Sequence, residues 1–544
     1  MSDSVQSQSG PVYRSVVVEY RDGEQIIDVS PGSPLPVTGS VSISGSTPGL
    51  PEADPLPVFQ PVSQGAFGDQ LVANLSQEIS LMFNYHVDSD LVYTLTQGSS
   101  SIGVTNSKMV VATGTTSNSL AVAKSKNYLR YRPGYGGLVR FTLGVTTGVS
   151  GTEQTAGVGN EEDGFFFSYR DHEDVLGMCI VRRYFGAREI RDLTVTGGST
   201  SAGNVTITLD GVAFTVAVSN NGAGATNQTA TNIATNFSSS EWTAVAKGDV
   251  VSFRSVRAVA KSGSYSFSAG STGSTASIAQ KVAGAAASEE VIPSQSWNYD
   301  KADGTGTLPN LTWSNGNIFQ IKYQWLGFGM IQFFIEDPTL GRFIRVHAIE
   351  YANTSTNPTV GNPTFPFFFL ADNKSTSSNI SMFTASCGGF VEGSTTRITG
   401  GNTKTYTVAD SCDTGGTLLA TLWNPNNFKS KNSRVQVSIL DISASSAEAI
   451  TIRFYKNAAL TGNASWTSIG ANSSMFYDES STSFTGGELA SAMRLEHQTV
   501  NTLEAADVSS GVLTLHPDDT LSIVATSDNG TVKLGVTINW VEYL

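Results

Sequence analysis

The sequence predicts an all-β protein: a central jelly-roll or β-sandwich that carries a small inserted ββαβββ module, followed by a C-terminal β-sandwich. Three observations predict it. Apolar, β-branched and aromatic runs of 5–8 residues recur between Gly-, Ser-, Thr- and Asn-rich breaks, and the chain holds 54 glycines. Charged residues make up only 14% of the chain, too few for coiled coils or long solvent-laced helices. A hydrophobic content of 39% is still ample for packed cores, and 544 residues give room for several domains at roughly 100–200 residues each.

The first segment, 1–75, reads as an acidic docking arm. Nine of the 18 prolines lie within the first 61 residues, and proline removes a ladder donor and fixes φ. Residues 1–90 carry 2 basic and 11 acidic side chains, so −9 of the net −14 sits here. One strand pair is expected inside the arm, over 15–20 and 25–29, around the Asp22-Gly23 turn. The rest reads as extended, with Val16-Val17-Val18 and Val58-Phe59 as apolar anchors for a partner.

Segments 76–191 and 289–399 read as one discontinuous β-sandwich. Its expected strands include 137–145, 164–169, 175–181, 318–323, 330–335 and 342–349, and Phe319, Ile321, Tyr323 and Trp325 share one face. The string Phe365-Pro366-Phe367-Phe368-Phe369 suits a core strand covered on both faces, or a subunit interface. Between the two halves, 192–288 changes composition to 5 basic and 4 acidic residues with almost no proline. Strands at 205–209, 213–218, 242–246, 250–255 and 264–268, with a helix at 225–237, make the inserted module. From 400 to 544 about seven strands suffice for a second sandwich, the last alternating through Lys533-Leu534-Gly535-Val536-Thr537-Ile538-Asn539-Trp540.

Asp163-Gly164-Phe165-Phe166-Phe167-Ser168-Tyr169, Cys179-Ile180-Val181-Arg182-Arg183, Trp297-Asn298-Tyr299-Asp300-Lys301-Ala302-Asp303-Gly304-Thr305-Gly306 and Ile318-Phe319-Gln320-Ile321-Lys322-Tyr323-Gln324-Trp325-Leu326-Gly327 together resemble a module of structural proteins from tailed bacteriophages and large DNA viruses. In that module the Arg-Arg strand leads within a few residues to the Trp-Asn motif; here about 95 residues intervene, coinciding with the composition shift. The inserted piece is itself similar to small modules of phage tail and baseplate proteins, and the C-terminal sandwich resembles the knobs of viral fibres. The resemblance covers about 76–395 and implies a virion component made in the host cytoplasm, with other virion proteins as partners. It further implies a homo-oligomer, a trimer by analogy with viral fibres, and contact with a host-surface glycan or protein. It supplies no catalytic residues.

The remaining signals agree with a binding protein. A net charge of −14 argues against a nucleic-acid partner, and there is no run of eighteen apolar residues for a membrane span. The opening residues lack the basic and apolar regions of an export signal. Three cysteines cannot form a disulfide framework; Cys179 suits a buried strand, and whether Cys387 and Cys412 pair is left open. No enzyme motif is present, so no catalytic residue, cofactor or metal site is expected. The alternative is a tailspike-type glycan-degrading enzyme, which needs two carboxylates about 5–10 Å apart. Glu161-Glu162-Asp163 and Asp171, Glu173 and Asp174 are the available clusters, and both read as solvated acidic turns. His172, beside Asp171 and Glu173, reads as an exposed turn histidine rather than a metal ligand. Asp300 and Asp303, with Gly304, offer a Ca²⁺ loop or, instead, an Asx-stabilised turn. The candidate binding patch is Tyr128, Arg130, Tyr131, Arg132 and Tyr135, amphipathic side chains that would otherwise snorkel over the surface.

Overall fold

Period-two alternation becomes antiparallel pairing throughout the computed structural model. The structure describes residues 19–22, 25–28, 75–173, 175–393, 401–496, 500–503 and 513–543. The chain divides into two units, 1–61 and 62–544. In the first, Glu19–Asp22 pairs with Gln25–Asp28 and Asp22 lies opposite Gln25, so a strand pair forms there with its first strand ending at Asp22 rather than at residue 20. The remainder of the expected arm lies outside the described residues.

In the second unit, two sheets form the central sandwich. The seven-stranded sheet runs in the order Ser288–Pro293, Val175–Tyr184, Gly164–His172, Glu153–Gly159, Phe367–Asp372, Leu120–Ser125, Val92–Gln97. The nine-stranded sheet is centred on Gly136–Val145, which pairs with Asn317–Tyr323 on one edge. Its other edge is shared by Ser381–Thr384 and Ser386–Glu392. Phenylalanines fill the space between the sheets. Phe167 meets Phe319 at 4.6 Å and Phe333 at 5.5 Å, and Phe141 stacks on Phe319 at 5.7 Å. Aromatic side chains bury large areas and gain from such tilted and edge contacts.

The Phe365–Phe369 string is a core strand. Phe367 and Phe369 enter the main core, while Phe368 points to the opposite face among Phe166, Cys179, Val181 and Val256. Strict alternation together with cover on both faces explains why the string is apolar without interruption.

The insertion has a simple geometry. Val175–Tyr184 and Ser288–Pro293 are antiparallel neighbours, with Tyr184 opposite Ser288, and beyond them Ala187 and Ala285 form one more bridge. The module therefore occupies the tip of a β-hairpin. It contains two strands beyond the expected ββαβββ. Ile190–Gly197 lies between Val250–Ser255 and Thr275–Val282, and Trp242–Lys247 closes that four-stranded sheet. Both extra strands are short on apolar alternation, which is why periodicity did not reveal them. Gly203–Leu209, Val212–Val218 and Ser266–Ser268 make a second sheet, and the helix Thr226–Asn236 buries Ala230 and Ile233 between them.

The C-terminal sandwich packs a five-stranded sheet led by Asn402–Cys412, Val532–Tyr543 and Gln436–Ser446 against a six-stranded sheet centred on Thr417–Trp423 and Thr520–Ser527. Along Val532–Tyr543 the residues Val532, Leu534, Val536, Ile538 and Trp540 all face the core. Cys179, Cys387 and Cys412 are buried in three different hydrophobic clusters and all three are free thiols, so Cys387 and Cys412 do not pair.

Candidate functional site

The three β units meet at a junction built around acidic residues. The turn from Glu153–Gly159 into Gly164–His172 carries Asn160, Glu161, Glu162 and Asp163. Asn160 Oδ1 accepts the backbone N–H groups of Glu162 and Asp163, an Asx turn that aims three carboxylates into the interior. All three are buried, contrary to a solvated acidic loop. Local polarity suggested exposure; burial follows because cations from distant segments neutralise the cluster.

Those cations come from every unit. Lys124 of the central sandwich lies 3.0 Å from Glu161. Arg188, at the foot of the inserted module, lies 3.6 Å from Glu161 and 3.5 Å from Glu162. Arg434 of the C-terminal sandwich, only 4% exposed at its side chain, lies 2.9 Å from Asp163 Oδ2 and 3.4 Å from Glu162. It also donates to the carbonyls of Asn362 at 2.6 Å and Thr364 at 3.3 Å, and to Asn160 Oδ1 at 3.2 Å. Asp163 Oδ1 accepts the backbone N–H groups of Phe185 and Gly361. Burial alone would raise the Glu161 carboxyl, but the neighbouring Arg188 and Lys124 hold it down at about 2. The Lys124 ammonium is pushed down to about 8 by the same burial, against the pull of Glu161.

Beside these pairs lies a cavity of about 270 Å³ lined by Tyr93, Tyr128, Lys247, Arg254, His516 and Asp518 among others. Polar contacts stitch its walls. His516 Nε2 is 2.7 Å from Asn127 Oδ1 and its Nδ1 is 3.2 Å from Asp519 Oδ2. Arg254 donates to the Asn426 carbonyl at 3.0 Å, and Asn432 donates to the Arg188 carbonyl at 3.0 Å. The His516 ring is thus held between the Asp519 carboxylate and the Asn127 amide oxygen, which fixes its orientation on the cavity wall.

The five residues of the expected patch are divided. Tyr128 lines the junction cavity. Arg130 lies over the Tyr543 ring at 3.9 Å, joining the two sandwiches. Arg132 pairs with Glu78 at 2.7 Å. Tyr131 accepts the Leu326 N–H at 2.9 Å and meets Trp325 edge-on at 5.6 Å. Tyr135 is exposed. Four of the five thus spend their side chains on internal contacts.

The other candidates are turns. Asp300 is buried, with Oδ1 accepting Ala302 N–H and Oδ2 accepting Thr307 and Leu308 N–H. Asp303 is exposed and accepts both the N–H and the hydroxyl of Thr305. Each carboxylate closes its own Asx turn. The motif around Trp297 anchors a strand edge: Asn298 exchanges two hydrogen bonds with Ala348 and its N–H donates to His347 Nδ1. Asp171 accepts the Gly151 N–H at 2.8 Å, while Glu173 is largely exposed, with the His172 ring nitrogen 3.8 Å away.

Sequence reasoning missed Arg188, Arg254 and Arg434. Each lies three residues from another basic residue (Arg191, Arg257 and Lys431) that could equally have been the buried one, and only the fold reveals its partners.

The pH dependence of stability follows from these carboxylates. Glu153 is also held near 2, by Arg170, Arg183 and Lys374 against the effect of burial. A carboxyl depressed from 4.5 to about 2 stabilises the fold above the higher value and loses that contribution as pH falls between the two. Asp192 and Asp249 behave oppositely: burial raises each from 3.8 to about 6, so their contribution grows as pH falls from 6 towards 3.8. The melting temperature should therefore rise slightly from pH 7 to about 5 and drop steeply below about 4.5. In Glu161→Gln the acid drop should be shallower, and an unchanged profile would remove Glu161 from the account.

No protein-family model matches the chain, and no curated protein matches it. Eleven chains of solved structures match. A legume lectin-like domain from Entamoeba histolytica is 9% identical, with a TM-score of 0.24, covering 58% of this chain and 98% of that one. A lectin II from Ulex europaeus is also 9% identical, with a TM-score of 0.21, covering 58% and 99%. A triple jelly-roll protein of an archaeal virus turret assembly is 8% identical, with a TM-score of 0.15, covering 87% and 98%. At TM-scores of this size the likenesses carry no argument about what the chain does. No helix among the described residues is long and apolar enough to cross a membrane.

Proposed function

We propose that the protein is a non-enzymatic structural component of a virus particle: a fibre, spike or decoration anchored to capsid or tail through residues 1–75. In this reading it is made in the host cytoplasm, works without a cofactor, assembles as a homotrimer and meets the host surface through its sandwiches. The observation that carries the reading is the junction. Three β units are joined by buried, multiply hydrogen-bonded ion pairs, an arrangement that resists hinge motion and suits a part repeated in a particle. Three buried free thiols accord with synthesis in a reducing compartment.

Deleting residues 1–61 tests the anchor. Incorporation into particles should fall to background while the melting temperature of the purified body stays unchanged. Undiminished incorporation would overturn the anchor, and mass photometry giving only a 57 kDa species would overturn the oligomer. Release of reducing sugar from host polysaccharide, abolished by Asp171→Ala with Glu173→Ala, would replace this reading with the glycan-degrading one.

A further inference from the structure

A second cleft, about 350 Å³, lies between the inserted module and the C-terminal sandwich. Its volume falls within the roughly 300–1,000 Å³ of small-molecule sites. One wall is aromatic. Trp423 is 5.0 Å from Trp466, with the rings inclined at 50°, and 6.0 Å from Phe476. The opposite wall is polar, formed by Asp192, Asp249 and Lys281 on the module's four-stranded sheet and its turn.

Two buried side chains on these walls have unspent hydrogen-bonding capacity. Asp192 is 6% exposed, and its Oδ1 has no hydrogen-bond partner in the protein. Trp423 is 5% exposed, and its indole Nε1 has none either. Buried polar atoms are nearly always paired, so an unpaired acceptor and an unpaired donor on facing walls of one cleft call for a ligand that supplies both. By contrast the Trp466 indole is fixed, donating to the Lys247 carbonyl of the module at 3.1 Å, so this aromatic wall is held in place across the boundary.

We propose that this cleft binds a saccharide ring. A pyranose offers C–H faces, which pack on the negative faces of aromatic rings, and hydroxyls, which donate to a carboxylate and accept from an indole N–H or an ammonium. A sulfate has no donor for Asp192, and any oxyanion, phosphate included, would face the two carboxylates of Asp192 and Asp249. A quaternary ammonium would suit an aromatic cage but has no acceptor for the Trp423 N–H, and Lys281, 3.9 Å from Asp192, already supplies a cation there. The inference gives the host-contact reading above a ligand class, and depends on that reading only for its biological meaning.

The test uses the purified full-length chain on an array of immobilised neutral and N-acetylated oligosaccharides, with choline chloride as a competitor. At least one saccharide class should be retained. Trp466→Ala should weaken retention at least tenfold, and Asp192→Asn should weaken it while the melting temperature confirms that both variants fold. A Trp466→Phe variant, which keeps an aromatic wall, should recover much of the loss. Retention of no saccharide, retention indifferent to Trp466→Ala, or displacement by choline alone would each overturn the proposal. Because no particle is involved, failure here leaves the arm-deletion result intact, and the converse also holds.

Discussion

Replacing Arg434 with alanine should destabilise the protein by about 3–5 kcal/mol, the usual cost of removing one partner from a buried charge network. The side chain satisfies five acceptors at once: two backbone carbonyls, Asn160 Oδ1, Glu162 and Asp163. Without it, two carboxylates of the central sandwich lose their cation from the C-terminal sandwich while remaining buried. Arg434→Lys should recover only part of the loss, because one ammonium cannot reproduce the planar fork that reaches both the carbonyls and the carboxylates. Denaturant midpoints followed by circular dichroism check the magnitude, and limited proteolysis near residues 427–433 checks where the structure loosens. A shift below about 1 kcal/mol would show that the junction does not hold the sandwiches together.

Phe167→Ala should cost a similar amount, about 3–5 kcal/mol, by a different route. Phe167 is fully buried on an interior strand of the seven-stranded sheet and meets Phe319, Phe333 and Phe141 of the facing sheet as well as Trp297. Its removal leaves a cavity between two sheets whose strands are hydrogen-bonded on both sides and so cannot close around it. Phe167→Leu should cost markedly less, since it retains much of the volume. Removing the charges separates the two variants. The Arg434→Ala loss should shrink in a background carrying Glu162→Gln and Asp163→Asn, whereas the Phe167→Ala loss should be unchanged there. Equal Arg434→Ala losses in both backgrounds would contradict the electrostatic account of Arg434.

The parts of the fold that were legible in the sequence are those in which neighbouring residues carry the information. Alternation along Val532–Tyr543 and the unbroken Phe365–Phe369 run each report burial within a few positions. The interruption between Arg183 and Trp297 was visible as a composition shift, and the structure places it at the tip of a hairpin. The junction was illegible for the opposite reason. Arg434 and Glu162 are 272 residues apart, and nothing local distinguishes a buried arginine from a surface one. Glu161-Glu162-Asp163 therefore read as solvated, and Tyr128 to Tyr135 as one patch, although backbone geometry sends those side chains to separate neighbours. The Trp423–Asp192 cleft was hidden in the same way, since its walls belong to different units.

The hairpin-tip insertion also orders events during synthesis. Leu75–Met82 pairs with Ser386–Glu392, so the central sandwich cannot close until a strand some three hundred residues downstream has left the ribosome. The module's ladders lie entirely between Ile190 and Val282, so all of its strands are available while the seven-stranded sheet still lacks two of its strands and the nine-stranded sheet five. Domains generally fold as units as the chain emerges. The module should thus be the first part of the body to become protease-resistant on ribosome-bound chains stalled near residue 330, and susceptibility throughout those chains would contradict this order. Once folded it holds its two ends side by side, Ala187 opposite Ala285, so the long stretch of chain between Val175–Tyr184 and Ser288–Pro293 no longer has to be closed as an open loop. A piece inserted into a loop would then serve the surrounding sandwich as an early-folding clasp that lowers the entropic cost of pairing the strands on either side of it.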